Sequence, residues 1–215
     1  FVYSYCDSNG DKIGDLNGIT SKLEYIRDLG YTGIWLTPIF TSSSLHKYNA
    51  SSYYEIDASF GTLEDFDKLI LKAHALGIKV ILDLAINHSS KNASYFQKAV
   101  EAHKKKINFS SLNDEEKKYQ DFYVFYDTED QAKQSRKTYY KVPNCNFYYE
   151  ANFDSDMPEF NFDNENVWQE FDNIMTFWQQ KGVDGFRLDA VKYYYLNETN
   201  KNVTALSRIK QIALR

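Results

Sequence analysis

Two short stretches of the chain place charged side chains at the ends of predicted strands. Asp83 follows the apolar run Val80-Ile81-Leu82, while Arg187 and Asp189 belong to the stretch that begins Gly185-Phe186. Because side chains alternate along a strand, Arg187 and Asp189 share a face, and a cation neighbours a carboxylate. Such a cation lowers the carboxylate pKa and keeps the group ionised, as a covalent nucleophile requires. A structural ion pair at a strand end would show the same spacing.

Other polar side chains follow the same predicted strand ends. His88 comes shortly after Asp83, Lys192 comes shortly after Asp189, and Tyr48 lies beyond the predicted buried strand Ile34-Trp35-Leu36. Catalytic groups of parallel α/β folds lie at the carboxyl ends of the strands, where the loops converge. These residues are therefore candidates for one site, although a histidine at a strand end can also be structural.

The elements that would position these residues follow a repeated order of amphipathic helix, glycine and apolar strand. The first helix has Asp15 as its predicted N-cap, and the second begins with the capping pattern Thr62-Leu63-Glu64-Asp65. Apolar strands that alternate with helices predict an α/β fold with a parallel sheet covered by helices. This leaves a β/α barrel or an open doubly wound sheet.

Residues 88–157 interrupt this order. They contain a Lys-rich helix candidate around Gln97 to Lys106 and several aromatic clusters, of which Phe122-Tyr123-Val124-Phe125-Tyr126 is the longest. A structureless loop of this length is improbable, so we expect an inserted subdomain. Its aromatic clusters are expected to form a core more readily than a substrate-stacking surface.

The composition excludes several classes of protein. The 215 residues are 43% hydrophobic and 17% aromatic, with only 3 Pro and 9 Gly, which excludes a disordered or collagenous chain. No apolar run is long enough to span a membrane, and the net charge of −5 argues against a nucleic-acid partner. Two cysteines are too few for a disulfide framework and leave the redox compartment open.

A second candidate site lies in the segment from residue 7 to residue 15. Asp7, Asn9, Asp11 and Asp15 supply oxygen side chains at alternating positions, and the carbonyl of Ile13 fills the gap. Ca²⁺ binds six to eight hard oxygen ligands, so this spacing predicts a structural Ca²⁺ site. An ordinary acidic turn is the alternative.

Several of these segments resemble those of the α-amylase family of retaining α-glucosidic glycoside hydrolases. Asp83-Leu84-Ala85-Ile86-Asn87-His88 and the stretch from Gly185 to Lys192 are similar to two of its four core motifs. Met157-Pro158-Glu159-Phe160-Asn161 resembles an auxiliary motif of the family, and His46-Lys47-Tyr48-Asn49 resembles its His-Gly-Tyr-Asp segment. The Asp7–Asp15 segment resembles the calcium loop of its oligosaccharide-cleaving members.

The resemblance implies part of a (β/α)₈ TIM barrel, holding strands one to four, with a domain B inserted after strand three. The first strand would then lie in the apolar run from Phe1 to Tyr5. The implied boundaries are 1–87 for the first part of the barrel, 88–156 for domain B and 157–215 for the continuation through strand four.

The resemblance also implies roles for the candidate residues. Asp189 would be the nucleophile, Arg187 would hold it ionised, and Asp83 would brace Arg187. His88 would bind a hydroxyl of the cleaved sugar, Tyr48 would stack on that sugar, and Lys192 would contact the sugar beyond the cleavage point. The implied partner is an α-1,4-glucan or maltooligosaccharide.

Two alternatives to an α-amylase remain open. The same motifs serve α-glucosidases and glucan transglycosylases, although Lys192 favours an amylase. Outside enzymes, catalytically inactive relatives are ancillary subunits of amino-acid transporters, but those have typically lost the residues that correspond to Arg187 and Asp189.

We expect the chain to be a fragment, because both ends interrupt predicted elements and the acid/base Glu that the resemblance implies has no counterpart in it. The full-length protein is expected to be a monomer, and an extracellular location is slightly favoured over a cytoplasmic one.

Overall fold

The computed structural model describes all 215 residues. Its secondary structure comprises eight α-helices, six β-strands and one 3₁₀ helix. In chain order these are α1 (Val2–Tyr5), α2 (Leu16–Asp28), β1 (Gly33–Leu36), α3 (Leu63–Ala75), β2 (Lys79–Leu84), α4 (Ser94–Ile107), α5 (Asp114–Tyr119), β3 (Phe125–Tyr126), α6 (Glu129–Ser135), β4 (Tyr139–Lys141), β5 (Tyr148–Glu150), α7 (Glu165–Gln180), β6 (Gly185–Leu188), the 3₁₀ helix (Val191–Tyr193) and α8 (Thr199–Ala213).

The chain divides into two compact units, each made of more than one stretch of sequence. The first unit comprises Phe1–Ala85, Asn173–Asp189 and Lys210–Arg215, and the second comprises Ile86–Asp172 and Ala190–Ile209. The domain boundaries predicted from the sequence, which separate residues 1–87, 88–156 and 157–215, stay a prediction.

The first unit contains a three-stranded parallel sheet in the order β1-β2-β6. The register pairs Trp35 with Ile81 and Asp83 with Arg187, so these four side chains lie on one face. The helix α3 connects the parallel neighbours β1 and β2, as the sequence predicted, and the chain is an α/β protein.

The predicted caps of α2 and α3 are confirmed. The Asp15 side chain accepts a hydrogen bond from the backbone of Gly18, and Thr62 forms a reciprocal capping box with Asp65. Each helix buries one apolar face, and Trp178 packs edge-on against Phe66 in the same core.

The segment predicted to be the first strand is a helical turn instead. Within α1 the Ser4 amide donates to the Phe1 carbonyl, which satisfies these backbone groups locally rather than in a ladder. The chain after it is nevertheless anchored, because the Gly14 amide donates to the Tyr3 carbonyl at 2.6 Å. The described sheet of the first unit therefore has three parallel strands rather than four.

The second unit contains a small antiparallel sheet in the order β3-β5-β4. The predicted Lys-rich helix is present as α4, which buries Phe96 and Ala99. The aromatic clusters supply much of the core, with the buried side chains Phe122, Tyr123, Phe147, Tyr149 and Phe160. No helix of the chain is both long enough and apolar enough to cross a membrane.

Candidate active site

The candidate site in the first unit begins with two strands that hold charged side chains side by side. Asp83 lies near the carboxyl end of β2, and the register places Arg187 of β6 opposite it. Asp189 follows β6 directly and points to the same side as Arg187 by strand alternation. The parallel register is therefore the reason that residues so far apart in sequence become neighbours.

Arg187 joins the two carboxylates through a single nitrogen. Its Nη1 lies 3.1 Å from each carboxylate oxygen of Asp83 and 2.5 Å from Oδ1 of Asp189. Hydrogen bonds between a guanidinium and a carboxylate are charge-assisted and stronger than neutral ones. Arg187 thus contacts both Asp189 and Asp83, and the roles of nucleophile and brace stay predictions.

Tyr48 joins this cluster from the loop after β1. Its hydroxyl donates to Oδ2 of Asp83 at 3.0 Å and accepts from Nη1 of Arg187 at 3.5 Å. The loop is held by a largely buried ion pair at 2.8 Å between Lys47, whose φ is +63°, and Asp57. Lys47 stands where the similar His-Gly-Tyr-Asp segment has Gly. Its backbone adopts the left-handed conformation that favours Gly, and its side chain is fixed by the ion pair with Asp57.

The surroundings of the two carboxylates differ strongly. The Asp83 side chain is fully buried, whereas 24% of the Asp189 side chain is exposed. Burial raises the pKa of Asp83, and this effect outweighs the opposing influence of Arg187 and the hydrogen bond from Tyr48. Asp189 is therefore the more accessible of the two carboxylates, and Asp83 is the one enclosed by the protein.

The Tyr48 hydroxyl is held in its neutral form. Burial, reinforced by the negative charge of Asp83, raises its pKa to about 12. At neutral pH the hydroxyl therefore stays protonated, and its O–H donates a hydrogen bond to Asp83.

Trp35 is a member of this cluster that the sequence analysis missed. Its indole Nε1 donates to Oδ2 of Asp83 at 3.2 Å, and Cζ of Arg187 lies 5.2 Å from the centre of its ring. The strand containing Trp35 was predicted to be buried, yet half of this side chain is exposed. The signal available was the alternation that puts Trp35 on the face of Asp83 once the register is known.

The remaining predicted substrate-binding residues belong to the second unit. His88 is buried and pairs with Glu159 in an isolated antiparallel bridge, and its ring lies 5.2 Å from that of Phe153. Lys192 is exposed in the 3₁₀ helix, with Nζ 5.1 Å from the centre of the Tyr193 ring. The first unit thus brings together Tyr48, Asp83, Arg187 and Asp189. The roles predicted for these four residues, like those of His88 and Lys192, stay predictions.

The side chains of the predicted calcium loop form hydrogen bonds with the backbone amides of the same loop. Asp7, Asn9 and Asp11 each accept hydrogen bonds from amides two to five residues further on, at 2.7–3.0 Å. These backbone bonds lower the pKa of Asp7, chiefly those from Gly10 and Lys12, and keep its carboxylate ionised. The donor set of carboxylates, an amide and a carbonyl consists of hard oxygens, which fits Ca²⁺.

Asp15 differs from the other predicted ligands. Its two oxygens accept from Ser8 at 2.8 and 2.9 Å and from the Gly18 amide at 2.7 Å, so it caps α2 from a buried position. Ile13 is the predicted carbonyl ligand, and its amide N–H donates a hydrogen bond to Oδ1 of Asp11. The structure has no group of three or more His, Cys, Asp or Glu side chains arranged to hold a metal ion, and the calcium site stays a prediction.

An α/β chain whose parallel strands end in this cluster of carboxylates and a guanidinium has clear relatives. The model of the alpha-amylase catalytic domain matches residues 1–211. Alpha-amylase 3 of Dictyoglomus thermophilum is 45% identical over 203 residues, which are 94% of this chain and 37% of that protein. Maltase A2 of Drosophila melanogaster is 40% identical over 210 residues, covering 89% of this chain and 34% of that protein.

A solved structure shows the same similarity in three dimensions. Amy13B of Eubacterium rectale superimposes with a TM-score of 0.89 at 41% identity, covering 99% of this chain and 40% of that chain. The chain belongs to the alpha-amylase catalytic-domain family of glycoside hydrolases, and it corresponds to the N-terminal part of the family's TIM barrel. It spans about a third of the length of the curated relatives it matches.

Proposed function

We propose that this chain carries the nucleophile and part of the substrate site of a retaining glycoside hydrolase that cleaves α-1,4-glucosidic bonds in starch or maltooligosaccharides. The observation that carries the proposal is the position of Arg187, whose one nitrogen contacts buried Asp83 and accessible Asp189 together. Membership of the alpha-amylase family supports the same chemistry.

In the proposed first step, a carboxylate oxygen of Asp189 attacks the anomeric carbon and the glycosidic C–O bond breaks. The leaving oxygen takes a proton from a general acid, and water later hydrolyses the glycosyl ester with net retention. Arg187 compensates the charge of the nucleophile before attack, and Asp83 fixes Arg187. Tyr48 offers an aromatic face to the sugar in the cleaved position, and we assign sugar-hydroxyl contacts to His88 and Lys192.

The substrate and the mode of cleavage are part of the proposal. Relatives of this chain include proteins named as an alpha-amylase and as a maltase, so family membership alone leaves both endo- and exo-cleavage open. Product analysis on maltooligosaccharides of increasing length separates them. Internal cleavage supports the amylase, release of single glucose units supports an α-glucosidase, and longer products indicate a transglycosylase.

The test of the nucleophile is made in the active protein that contains this chain. We expect Asp189→Asn to lower kcat at least about a thousandfold while the thermal unfolding midpoint stays close to that of the parent. A mechanism-based inhibitor that forms a glycosyl ester should label a peptide containing Asp189.

Asp184→Asn is the matched control. This carboxylate directly precedes β6, at the end of the strand opposite to Asp189, and it contacts His74 and Lys79 at 2.8 Å. We expect its substitution to lower stability without abolishing labelling. Label on another carboxylate, or ordinary turnover by Asp189→Asn, would overturn the assignment of the nucleophile.

A further inference from the structure

Trp35 contacts both residues that hold the proposed nucleophile. Its register partner on β2 is Ile81, so its side chain lies diagonally beside Asp83 on the same face. From this position its indole nitrogen reaches Oδ2 of Asp83, and its ring lies beside the guanidinium of Arg187.

The hydrogen bonds to Asp83 show what the indole contributes. Oδ2 of Asp83 lies within hydrogen-bond distance of three donors, namely Trp35 Nε1 at 3.2 Å, Tyr48 Oη at 3.0 Å and Arg187 Nη1 at 3.1 Å. Oδ1 lies 3.1 Å from the same Arg187 nitrogen. A buried carboxylate needs each of these donors, because every lost hydrogen bond leaves negative charge poorly solvated.

The ring of Trp35 acts on the other partner. A guanidinium near an indole face gains a cation–π attraction, and arginine is the cation most often found in such contacts. Trp35 therefore restricts the guanidinium from one side, while Asp83 restricts it by hydrogen bonding. Since Arg187 Nη1 is the atom that contacts Asp189, movement of the guanidinium would move the group that holds the nucleophile.

We propose that Trp35 is a positioning residue for the reaction. It sets the carboxylate of Asp83 through its N–H and the guanidinium of Arg187 through its ring, and thereby orients Asp189 for attack. It does not touch the reacting atoms itself. This inference rests on the proposed function, since it assigns Trp35 a part in the chemistry of the same site.

The test uses Trp35→Phe, which keeps an aromatic face and removes the N–H. A hydrogen bond to a charged group corresponds to roughly a tenfold to hundredfold effect on an equilibrium or rate. We expect the rate constant for inhibitor labelling of Asp189 and the value of kcat to fall by about that factor. KM and the inhibitor concentration for half-maximal labelling rate should change little, because Trp35 acts on the nucleophile rather than on ground-state binding.

Trp178→Phe is the matched control. It removes an indole N–H that donates to the Tyr53 carbonyl at 2.8 Å in the core of the same unit. This N–H forms no hydrogen bond with Tyr48, Asp83, Arg187 or Asp189. We expect this variant to lose thermal stability with kcat unchanged for the folded protein. A purely structural role of Trp35 would give the same pattern as this control.

A double-mutant cycle gives a second readout. If the N–H acts through Asp83, Trp35→Phe should cost little further kcat in an Asp83→Asn background. Wild-type labelling by Trp35→Phe, or losses that multiply in the double variant, would overturn the role of Trp35 and leave the nucleophile assignment intact. Failure of the unsubstituted protein to be labelled at Asp189 would instead remove the proposed function, and this inference with it.

Discussion

Asp83 and Asp189 are the same residue type on the same guanidinium, and their surroundings separate what each can do. Asp83 is buried and accepts from three different side chains, whereas Asp189 is partly exposed and is held by Arg187. Enzymes commonly give two carboxylates different roles through environment alone. The proposed division into nucleophile and brace follows from burial and hydrogen bonding rather than from residue identity.

A different pair of acids, Glu150 and Glu159, is buried in the second unit. Glu150 is contacted by Tyr126 Oη at 2.7 Å and by Lys137 Nζ at 3.2 Å, and Asn152 bonds to both carboxylates. Burial, followed by the charge of Glu150, raises the pKa of Glu159 from its ordinary value of 4.5 to about 8. Glu159 therefore keeps a proton at neutral pH in the folded protein and loses it on unfolding.

This shift gives stability a pH dependence of known sign. Between about pH 4.5 and pH 8 the folded state binds more protons at Glu159 than the unfolded state, so the free energy of unfolding falls as pH rises. The contribution is fully present below pH 4.5 and is lost as pH rises through 8. We expect Glu159→Gln, which mimics the protonated side chain, to flatten this slope in urea unfolding curves measured across the range.

The matched control for this prediction is Glu165→Gln. Glu165 is exposed, and its pKa is lowered by a hydrogen-bonded ion pair with Arg208. Its contribution to stability is therefore constant above the ordinary carboxyl range, so the slope between pH 5 and 8 should match that of the parent. An unchanged slope in Glu159→Gln would show that Glu159 is ionised in the folded protein.

At the scale of single elements, local signals account for most of what the sequence predicted correctly. The caps at Asp15 and Thr62 could be predicted because a capping side chain bonds the free amides of the first helical turn. The interaction therefore depends only on residues that are close in sequence. The prediction of a strand in the Phe1–Tyr5 segment was wrong, because a strand depends on neighbouring strands that composition does not reveal. Trp35 was missed for a related reason, since its bond to Asp83 depends on the register of β1 against β2.

The loop from Asp7 to Asp15 supports a prediction of its own. Its side chains already shape the backbone through amide hydrogen bonds, so ion binding would require little rearrangement. Ca²⁺ that binds the folded loop more tightly than the unfolded chain stabilises the fold in proportion to its free concentration. We expect millimolar Ca²⁺ to raise the melting temperature relative to EDTA, and Mg²⁺ to do so less because it prefers a smaller octahedral site.

Asp11→Ala should abolish the calcium-dependent part of that rise. Asp28→Ala is the control, because Asp28 is also an exposed carboxylate but pairs with neighbouring Arg27. A chain that contains no metal by elemental analysis, and whose melting temperature ignores both Ca²⁺ and Asp11→Ala, would contradict the predicted site.

At the scale of the whole molecule, the motifs predicted more than periodicity did. Alternating helices and strands left two architectures open, a barrel and an open sheet, and the family match to residues 1–211 identifies the barrel. The reason is physical: β1, β2 and β6 pair in the same way in either architecture, because closure depends on strands beyond a local pair. Residues 88–156 were predicted as an insertion, and the antiparallel pairing of β3, β5 and β4 within that range could not be derived from spacing.

The sheet and the site together predict how a polypeptide of residues 1–215 behaves on its own. Retaining hydrolysis needs a second carboxyl group about 5–5.5 Å from the nucleophile that can protonate the leaving oxygen. Asp83, the carboxylate that shares Arg187 with Asp189, is buried and committed to hydrogen bonds, so it cannot reach a leaving group. We therefore expect this polypeptide to release no reducing sugar from starch above the level of its Asp189→Asn variant.

The same polypeptide should also self-associate. In the order β1-β2-β6 the two outer strands each have one neighbour in the sheet, and outer-strand residue Trp35 is half exposed. Such edges offer unpaired backbone groups and apolar surface to other copies. Light scattering during size-exclusion chromatography should show species larger than the 25.2 kDa monomer that increase with concentration. A stable monomer at all concentrations would contradict the expected association, and starch hydrolysis that disappears in Asp189→Asn would contradict the expected inactivity.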